Sequence, residues 1–517
     1  MSRAYQSSRL KIPAKPFIST WNTAITYTGS TANNQIRLPL ISTGVYKFTV
    51  NWGDNTSDNI TTWNQPQVTH TYAAPCTYTV TITGFIKGWD FSGFVILPAT
   101  PNNDRRKLLS ITQFGCLEIV TYTNLATASG AFFGCTNLNL TAVLDQPNFK
   151  NCTSIAGFLR ECAAITTVAN INKWDVSKVE FFRSVFRESP NFNDNVGNWN
   201  MSRATNIGQM FRGSATVAPY GTFNNGGSNT LKNWDLKNNT DLNTLFFNQR
   251  FFNQEVGTWD TSNVIDMQFL FASGTPIASI PLSPGVFTNG GSDSIKNWDT
   301  SKVTNMSAMF QWQQSFDIDI SNWDTGKVTI MNFMFWSNYL APGSFNNGGN
   351  PGISNWNTSN VTTMGAMFHG NNKFNQNVGA WNVSKVTDMN YMFGSGTPVP
   401  VPVAFNNGGS SSINSWNTGL VTTMGNMFRN NPSFNQPIGS WNVSNVVTFA
   451  NFMQPQTSAN YSPANYDNLL IGWASRPVKP NISINMGALK YTAAAVAARA
   501  ILTSAPNNWT ITDGGII

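Results

Sequence analysis

A tryptophan that returns on a fixed frame decides what this chain can fold into. Trp174, Trp199, Trp234, Trp259, Trp298, Trp323, Trp356, Trp381, Trp416 and Trp441 follow one another at spacings of 25, 35, 25, 39, 25, 33, 25, 35 and 25 residues. Twelve positions after each stands an apolar residue: Phe186, Phe211, Phe246, Phe271, Phe310, Phe335, Phe368, Phe393, Phe428 and finally Met453. The frame reads W-[DN]-x-x-x-V-x-x-M-x-x-M-F, and in the short copies a second Phe (Phe192, Phe252, Phe316, Phe374, Phe434) comes six residues later. One such unit cannot bury its own Trp, Val, Met and Phe, so neighbouring copies must stack and share a core; the expected fold is a β-rich repeat solenoid.

Within a coil, Val378–Val383 alternates enough for a short strand, and Val386, Met389, Met392 and Phe393 mark one face of a helical turn that Ser384 is placed to cap. Upstream, Cys116, Cys135, Cys152 and Cys162 punctuate less regular leading coils. With Cys76 they make an odd set of five without a C-x-x-C pair, which reads as reduced, mostly buried thiols and not as a disulfide framework or a zinc site. Downstream, Asn465–Trp473, an Ala-rich stretch and Asn508–Gly515 break the period, as a terminal cap should. The frame Asn297-Trp298-Asp299-Thr300-Ser301-Lys302-Val303-Thr304-Asn305-Met306-Ser307-Ala308-Met309-Phe310 resembles the 26-residue repeat of BspA-like leucine-rich-repeat surface proteins. That resemblance, over roughly residues 105–455, implies attachment or structure and not catalysis.

Residues 17–100 lack the repeat. Phe48–Asn55, Val68–Tyr72 and Tyr78–Thr83 alternate like three strands, predicting a small β-sandwich. Trp52, Gly53, Asp54, Thr69 and Tyr72 resemble the elements of a polycystic-kidney-disease-type (PKD) domain, which implies a spacer or presenting module. Asp54 reads as a turn-capping carboxylate and not as a calcium ligand. The expected domains are thus a basic tail (1–16), the PKD-like sandwich (17–100), the leucine-rich-repeat-like solenoid (101–455) and the cap (456–517).

The chemistry-bearing residues argue against catalysis. The position after the repeat Trp is Asp in five copies (175, 235, 260, 299, 324) and Asn in five (200, 357, 382, 417, 442), so it wants a hydrogen-bonding side chain and not a charge. The two histidines, His70 and His369, are too few for a metal triad or a Ser-His-Asp arrangement. No catalytic residue, metal or cofactor is expected.

Binding is expected at the insertions. Every second connection is long, and the four segments 212–222, 272–286, 336–344 and 394–404 each run into a Phe (223, 287, 345, 405). If the coils superpose, the loops form a ridge whose apolar tips Tyr220, Leu282, Tyr339 and Val401 contact a neighbouring subunit, a host receptor or a glycan, the alternative being that the loops pack on one another as a second core. Ten residues after each Trp, the coils feeding an insertion carry Gln209, Phe269, Phe333 and Tyr391 where the intervening coils are smaller; these large residues are expected beneath the loops as a satellite core. The tail offers Arg3, Arg9, Lys11 and Lys15, with no acid, for docking onto a partner.

Charged residues make up 11% of the 517, and the net charge of +7 is too dilute to favour nucleic acid. The first twenty residues hold no apolar run of about 7–15, so no Sec signal is expected, nor is membrane insertion. These features predict a non-enzymatic structural or adhesive protein on a virion surface, as a head decoration, fibre or receptor-binding component that could oligomerise. A cell-surface adhesin exported without a Sec signal is the alternative within that class, and a glycan-active enzyme is the alternative outside it.

Overall fold

The computed structural model describes residues 15–91, 103–121, 130–214, 220–274, 284–338, 341–396 and 402–517. They divide into two compact units, Met1–Phe181 and Phe182–Ile517.

The first unit is built on a sheet. Strands β1 (Phe17–Asn22), β2 (Gln35–Arg37), β3 (Leu40–Asn51), β4 (Ser57–Ile60), β5 (Thr69–Thr71), β6 (Thr77–Trp89), β7 (Leu108–Gln113) and β8 (Leu117–Glu118) follow in chain order. Six of them form one sheet in the order β4-β3-β6-β1-β7, with β8 beside β6, while β2 and β5 pair separately. The alternation in β1 buries Phe17, Ser19 and Trp21, and Trp21 meets Trp89 and Phe91 at ring separations of 6.2 Å. The expected boundary at residue 100 is therefore corrected: β7 and β8, assigned by sequence to the leading coils, complete this sheet. What fastens β7 is a buried ion pair just ahead of it. Lys107 Nζ lies 3.3 Å from Asp104 Oδ1, both side chains fully buried, and Nζ also donates to Thr31 Oγ1 and to the carbonyls of Ala32 and Gln35 at 2.7–2.8 Å. Asp104 in turn accepts from the Thr31 and Arg37 N–H groups, so each charge is compensated on several sides. Asp54 accepts from the Thr56 N–H at 3.0 Å and lies 2.8 Å from His70 Nε2, the turn-capping role expected of it. Leading coils follow within the unit, and Cys135, Cys152 and Cys162 are buried in them; all five cysteines are free.

The second unit is a stack of coils. One parallel bridge per coil links Asn206, Asp241, Asp266, Asn305, Ile330, Thr363, Asp388, Thr423 and Thr448, each seven residues after its Trp. The strand expected around the Trp and the helical turn expected after it are both corrected. Val378–Val383 is turn and irregular backbone, and the bridge sits where the helical turn was predicted. Over Met389–Ser395 the N–H groups alternate between two duties: Met389, Tyr391, Phe393 and Ser395 donate to the next coil's Thr423, Gly425, Met427 and Arg429 carbonyls at 2.9–3.0 Å, while Met392 and Gly394 donate back three residues at 3.2 Å. The residue ten after the Trp makes this possible by adopting left-handed φ: Gln209, Thr244, Phe269, Ala308, Phe333, Ala366, Tyr391 and Asn426 all lie between 52° and 59° or at 60°. A helix cannot pass through that conformation. Ser384 is not the cap either; its N–H donates to Asn382 Oδ1 at 3.0 Å.

The apolar frame packs as the sequence requires. The Trp residues from 199 to 441 are at most 3% exposed. From Trp234 to Trp441 each indole Nε1 donates, at 2.8–3.3 Å, to the carbonyl three residues before the preceding Trp. The phenylalanines form two stacked columns. Phe186, Phe211, Phe246, Phe271, Phe310, Phe335, Phe368, Phe393 and Phe428 succeed one another at 5.5–6.0 Å. Beside them Phe192, Phe223, Phe252, Phe287, Phe316, Phe345, Phe374, Phe405 and Phe434 succeed one another at 5.8–6.3 Å. The Phe that ends each insertion thus fills the same place as the second Phe of a short coil.

The C-terminal residues prolong these columns before closing them. Tyr461 stacks on Phe434 at 6.0 Å, and Trp473 of α1 (Pro463–Ala474) donates to the Ile438 carbonyl at 3.3 Å, as a repeat Trp would. Helix α1 begins where Ser462 accepts from the Asn465 N–H ahead of Pro463. Gly439 lets it approach: a Cβ there would lie 2.2 Å from the Asn468 carbonyl oxygen. Strand β9 (Ser483–Asn485), helix α2 (Val496–Thr503) and strand β10 (Thr510–Thr512) finish the unit, β9 and β10 pairing in parallel. Among the described residues no helix is long and apolar enough to cross a membrane.

Candidate functional site

The Asp/Asn position after each Trp has one geometry. In all ten copies its Oδ1 accepts the N–H two residues on, at 2.8–3.3 Å, from Ser177 N–H onto Asp175 through Ser444 N–H onto Asn442. The five carboxylates close turns just as the five amides do.

Of the four ridge residues, Tyr220 alone is described; Leu282, Tyr339 and Val401 lie outside the described residues, as do Arg3, Arg9 and Lys11 of the tail, while Lys15 is exposed. Tyr220 is half-buried beneath the Arg250 guanidinium, 3.9 Å from its ring centroid, so its ring is packed against its own chain. The insertion roots are tied down by glutamines: Gln249 and Gln313 Oε1 accept from the Phe223 and Phe287 N–H groups at 2.8 and 3.0 Å.

A concave site lies instead on the face carried by the left-handed turn. The large residues at that position were expected to be covered, yet Phe333 is 38% exposed. It is open because the next coil carries Gly365 and Ala366 where its neighbours carry Asn332-Phe333 and Asn390-Tyr391. The missing bulk leaves a pocket of about 400 Å³, walled by Phe333 and Trp336 on one side and Tyr391 on the other, floored by Gly365, Ala366 and His369, and edged by Asp388, Asn390 and Gly396. A side chain at Gly365 would displace the Asp388 carboxylate, since a Cβ there would stand 2.6 Å from Oδ2.

The polar groups of this pocket are incompletely used. Asp388 Oδ1 accepts the Asn390 N–H at 2.8 Å, but among the described residues Oδ2 has no partner, and neither has the Asn390 side-chain amide. Burial pushes the Asp388 carboxyl above the ordinary carboxylate range against the opposing hydrogen bond from Asn390. His369, 8% exposed, is stacked on Trp336 at 5.7 Å and meets Tyr391 edge-on at 5.0 Å, while its Nδ1 makes no hydrogen bond. Burial, helped by the nearby Arg429 charge, lowers its pKa to about 4, so the ring is neutral near pH 7. By contrast, the carboxylates of Asp241 and Asp266, several coils away in the bridge column, are occupied by Arg183, Asn206, Asn243 and Gln268.

Sequence reasoning reached Phe333, Tyr391 and His369 but not their meeting. The usable signal is the Gly365-Ala366 pair lying in register between two bulky residues.

Comparisons with curated proteins and with solved structures found no match. A family model matches residues 123–225, 220–283, 344–398 and 401–476, which is more than half of the chain and falls on the repeated region, so the chain belongs to the family described as Mycoplasma protein of unknown function, DUF285.

Proposed function

We propose that this chain is a non-enzymatic interaction protein that displays a leucine-rich-repeat-like solenoid of the BspA kind on a surface and holds its partner in the aromatic pocket of the second unit. The observation that carries the reading is the pocket itself: exposed aromatic faces beside hydrogen-bonding groups with no internal partner are what recognition sites consist of. Asp388 is the single carboxylate among the lining residues, whereas glycoside cleavage uses two opposed carboxyls, which favours binding over hydrolysis. The sheet of the first unit, with its Trp52, Asp54 and Tyr72, is read as a PKD-like module that presents the repeats.

Purified protein incubated with isolated bacterial envelopes should sediment with them, and a Phe333→Ala/Trp336→Ala variant should remain in the supernatant. New reducing ends released from envelope polysaccharide by the protein, and absent with Asp388→Asn, would overturn the non-enzymatic reading. Recovery of the chain in purified particles supports display on a virion surface, and recovery only on intact cells replaces that with the adhesin reading.

A further inference from the structure

We propose that the pocket between Phe333, Trp336 and Tyr391 takes one pyranose ring of a neutral glycan. This rests on the interaction reading above and names its ligand class. At about 400 Å³ the cavity lies within the range of small-ligand sites. Its walls are aromatic faces, whose negative quadrupole attracts the polarised C–H groups on the flat side of a sugar ring. Its edge supplies what the hydroxyl groups of such a ring need: Asp388 Oδ2 accepts, and the Asn390 amide both donates and accepts, none of them with a partner among the described residues. His369 stacks on Trp336 and supports that wall, its own unpaired Nδ1 being buried. Asp388 and Asn390 are only partly buried, so in the pocket they can exchange water for sugar hydroxyls without first breaking an internal hydrogen bond.

The charge balance selects among ligands. Among the described residues no Lys or Arg lines the pocket, the Arg429 charge that acts on His369 is not part of its lining, and Asp388 is, which disfavours phosphate, sulfate and acidic sugars. A quaternary ammonium would find aromatic rings and one carboxylate, but one face of Trp336 is already covered by the stacked His369, and the Asn390 amide would stay unpaired.

The test uses the full chain and a panel of methyl glycosides of glucose, galactose, mannose, N-acetylglucosamine and N-acetylgalactosamine, with choline and sulfate as comparators. Saturation transfer to the ring C–H protons and quenching of tryptophan fluorescence are the readouts. At least one glycoside should bind at millimolar concentration, choline and sulfate should not compete, and Ala366→Phe should weaken binding more than about tenfold. That substitution fills the cavity without removing any polar group. The position already holds Phe333 and Tyr391 in the flanking coils at the same left-handed φ, so the variant should fold, as its unfolding temperature will report. Failure of every glycoside, competition by choline, or binding indifferent to Ala366→Phe each overturns the proposal. If envelope binding is lost in Ala366→Phe while no glycoside binds, the sugar assignment falls and the interaction reading stands.

Discussion

The side chains that hold successive coils together are amides as much as rings. Each long coil carries Asn-Gly-Gly, and its Asn (Asn225, Asn289, Asn347, Asn407) is fully buried at a φ of 51–56°. Asn289 shows the duty: Oδ1 accepts the Val256 N–H of the preceding coil at 2.8 Å, and Nδ2 donates to the Ser292 carbonyl at 3.0 Å. Asn289→Asp keeps the acceptor, loses the donor and places a charge in a buried site, so it should cost about 3–5 kcal/mol, read as a lower urea midpoint. Asn suits this place doubly, since it also tolerates the left-handed conformation. His369 makes a second prediction at this scale. Its folded pKa of about 4 lies below the unfolded value of 6.5, so between these values the unfolded chain binds a proton that the native ring refuses. The stability held above pH 6.5 should therefore fall as pH drops through that window, by about 3 kcal/mol from this one group. Asp388, shifted upward, acts with the opposite sign and is retained in His369→Gln. Urea midpoints at pH 7.5 and 4.5 should differ clearly less in His369→Gln than in the parent; an equal difference would mean that the ring is already protonated in the folded state.

At the scale of the coil, the sequence showed which residues are inside but not how the backbone carries them there. The positions of Val386, Met389, Met392 and Phe393 are equally those of a helical face and of a chain whose alternate N–H groups serve the next coil, and all four are buried. What separates the two is the left-handed residue between them. That position holds Ser, Gln, Thr, Phe, Ala or Tyr before Asn appears in the last two copies (Asn426, Asn451), and of these only Asn announces a positive φ, so it could not be read locally in most coils. The same blindness hid the pocket, because its floor exists only when three coils are superposed. The buried Asp104–Lys107 pair was hidden for a related reason: its partners around Thr31 are some seventy residues away in sequence. Phe-to-Phe bookkeeping, by contrast, was legible, because the stacked columns admit one residue type at one spacing. It follows that Phe374, in a short coil, and Phe405, at the end of an insertion, are equivalent: each stacks at 3.7 Å on the ring beside it in the other column, on Phe368 and Phe393 respectively. Phe374→Ala and Phe405→Ala should each cost about 3–5 kcal/mol and agree within about 1 kcal/mol. A much smaller loss for Phe405→Ala, by chemical unfolding, would show that the insertion can withdraw its ring and repack.

Across the second unit the backbone hydrogen bonds between coils run from one coil to the next, Arg183 to Asp241 being a side-chain link that skips one, so stability should be close to a sum of local steps and should depend on how the end is covered. The segment from Pro463 onward provides that cover. Trp473 and Trp509 lie against Phe449 at 5.1 and 5.8 Å, and with them in place Trp441, Phe449 and Phe452 are fully buried. Removing residues 463–517 exposes that apolar layer and leaves the Ile438 carbonyl without the Trp473 indole. The loss should then travel inward from the cut. Amide exchange should quicken first at Met424 and Phe428, whose N–H groups donate to Thr448 and Phe452, and should change little at Met267 and Phe271, whose acceptors Asn305 and Met309 lie several coils away. Trp473→Ala should reproduce the gradient in weaker form, since it removes one hydrogen bond and one ring but keeps the helix in place. Exchange measured peptide by peptide distinguishes this from its opposite: if truncation accelerates Met267 and Phe271 as much as Met424 and Phe428, the coils unfold as one cooperative block and the neighbour-by-neighbour account is wrong.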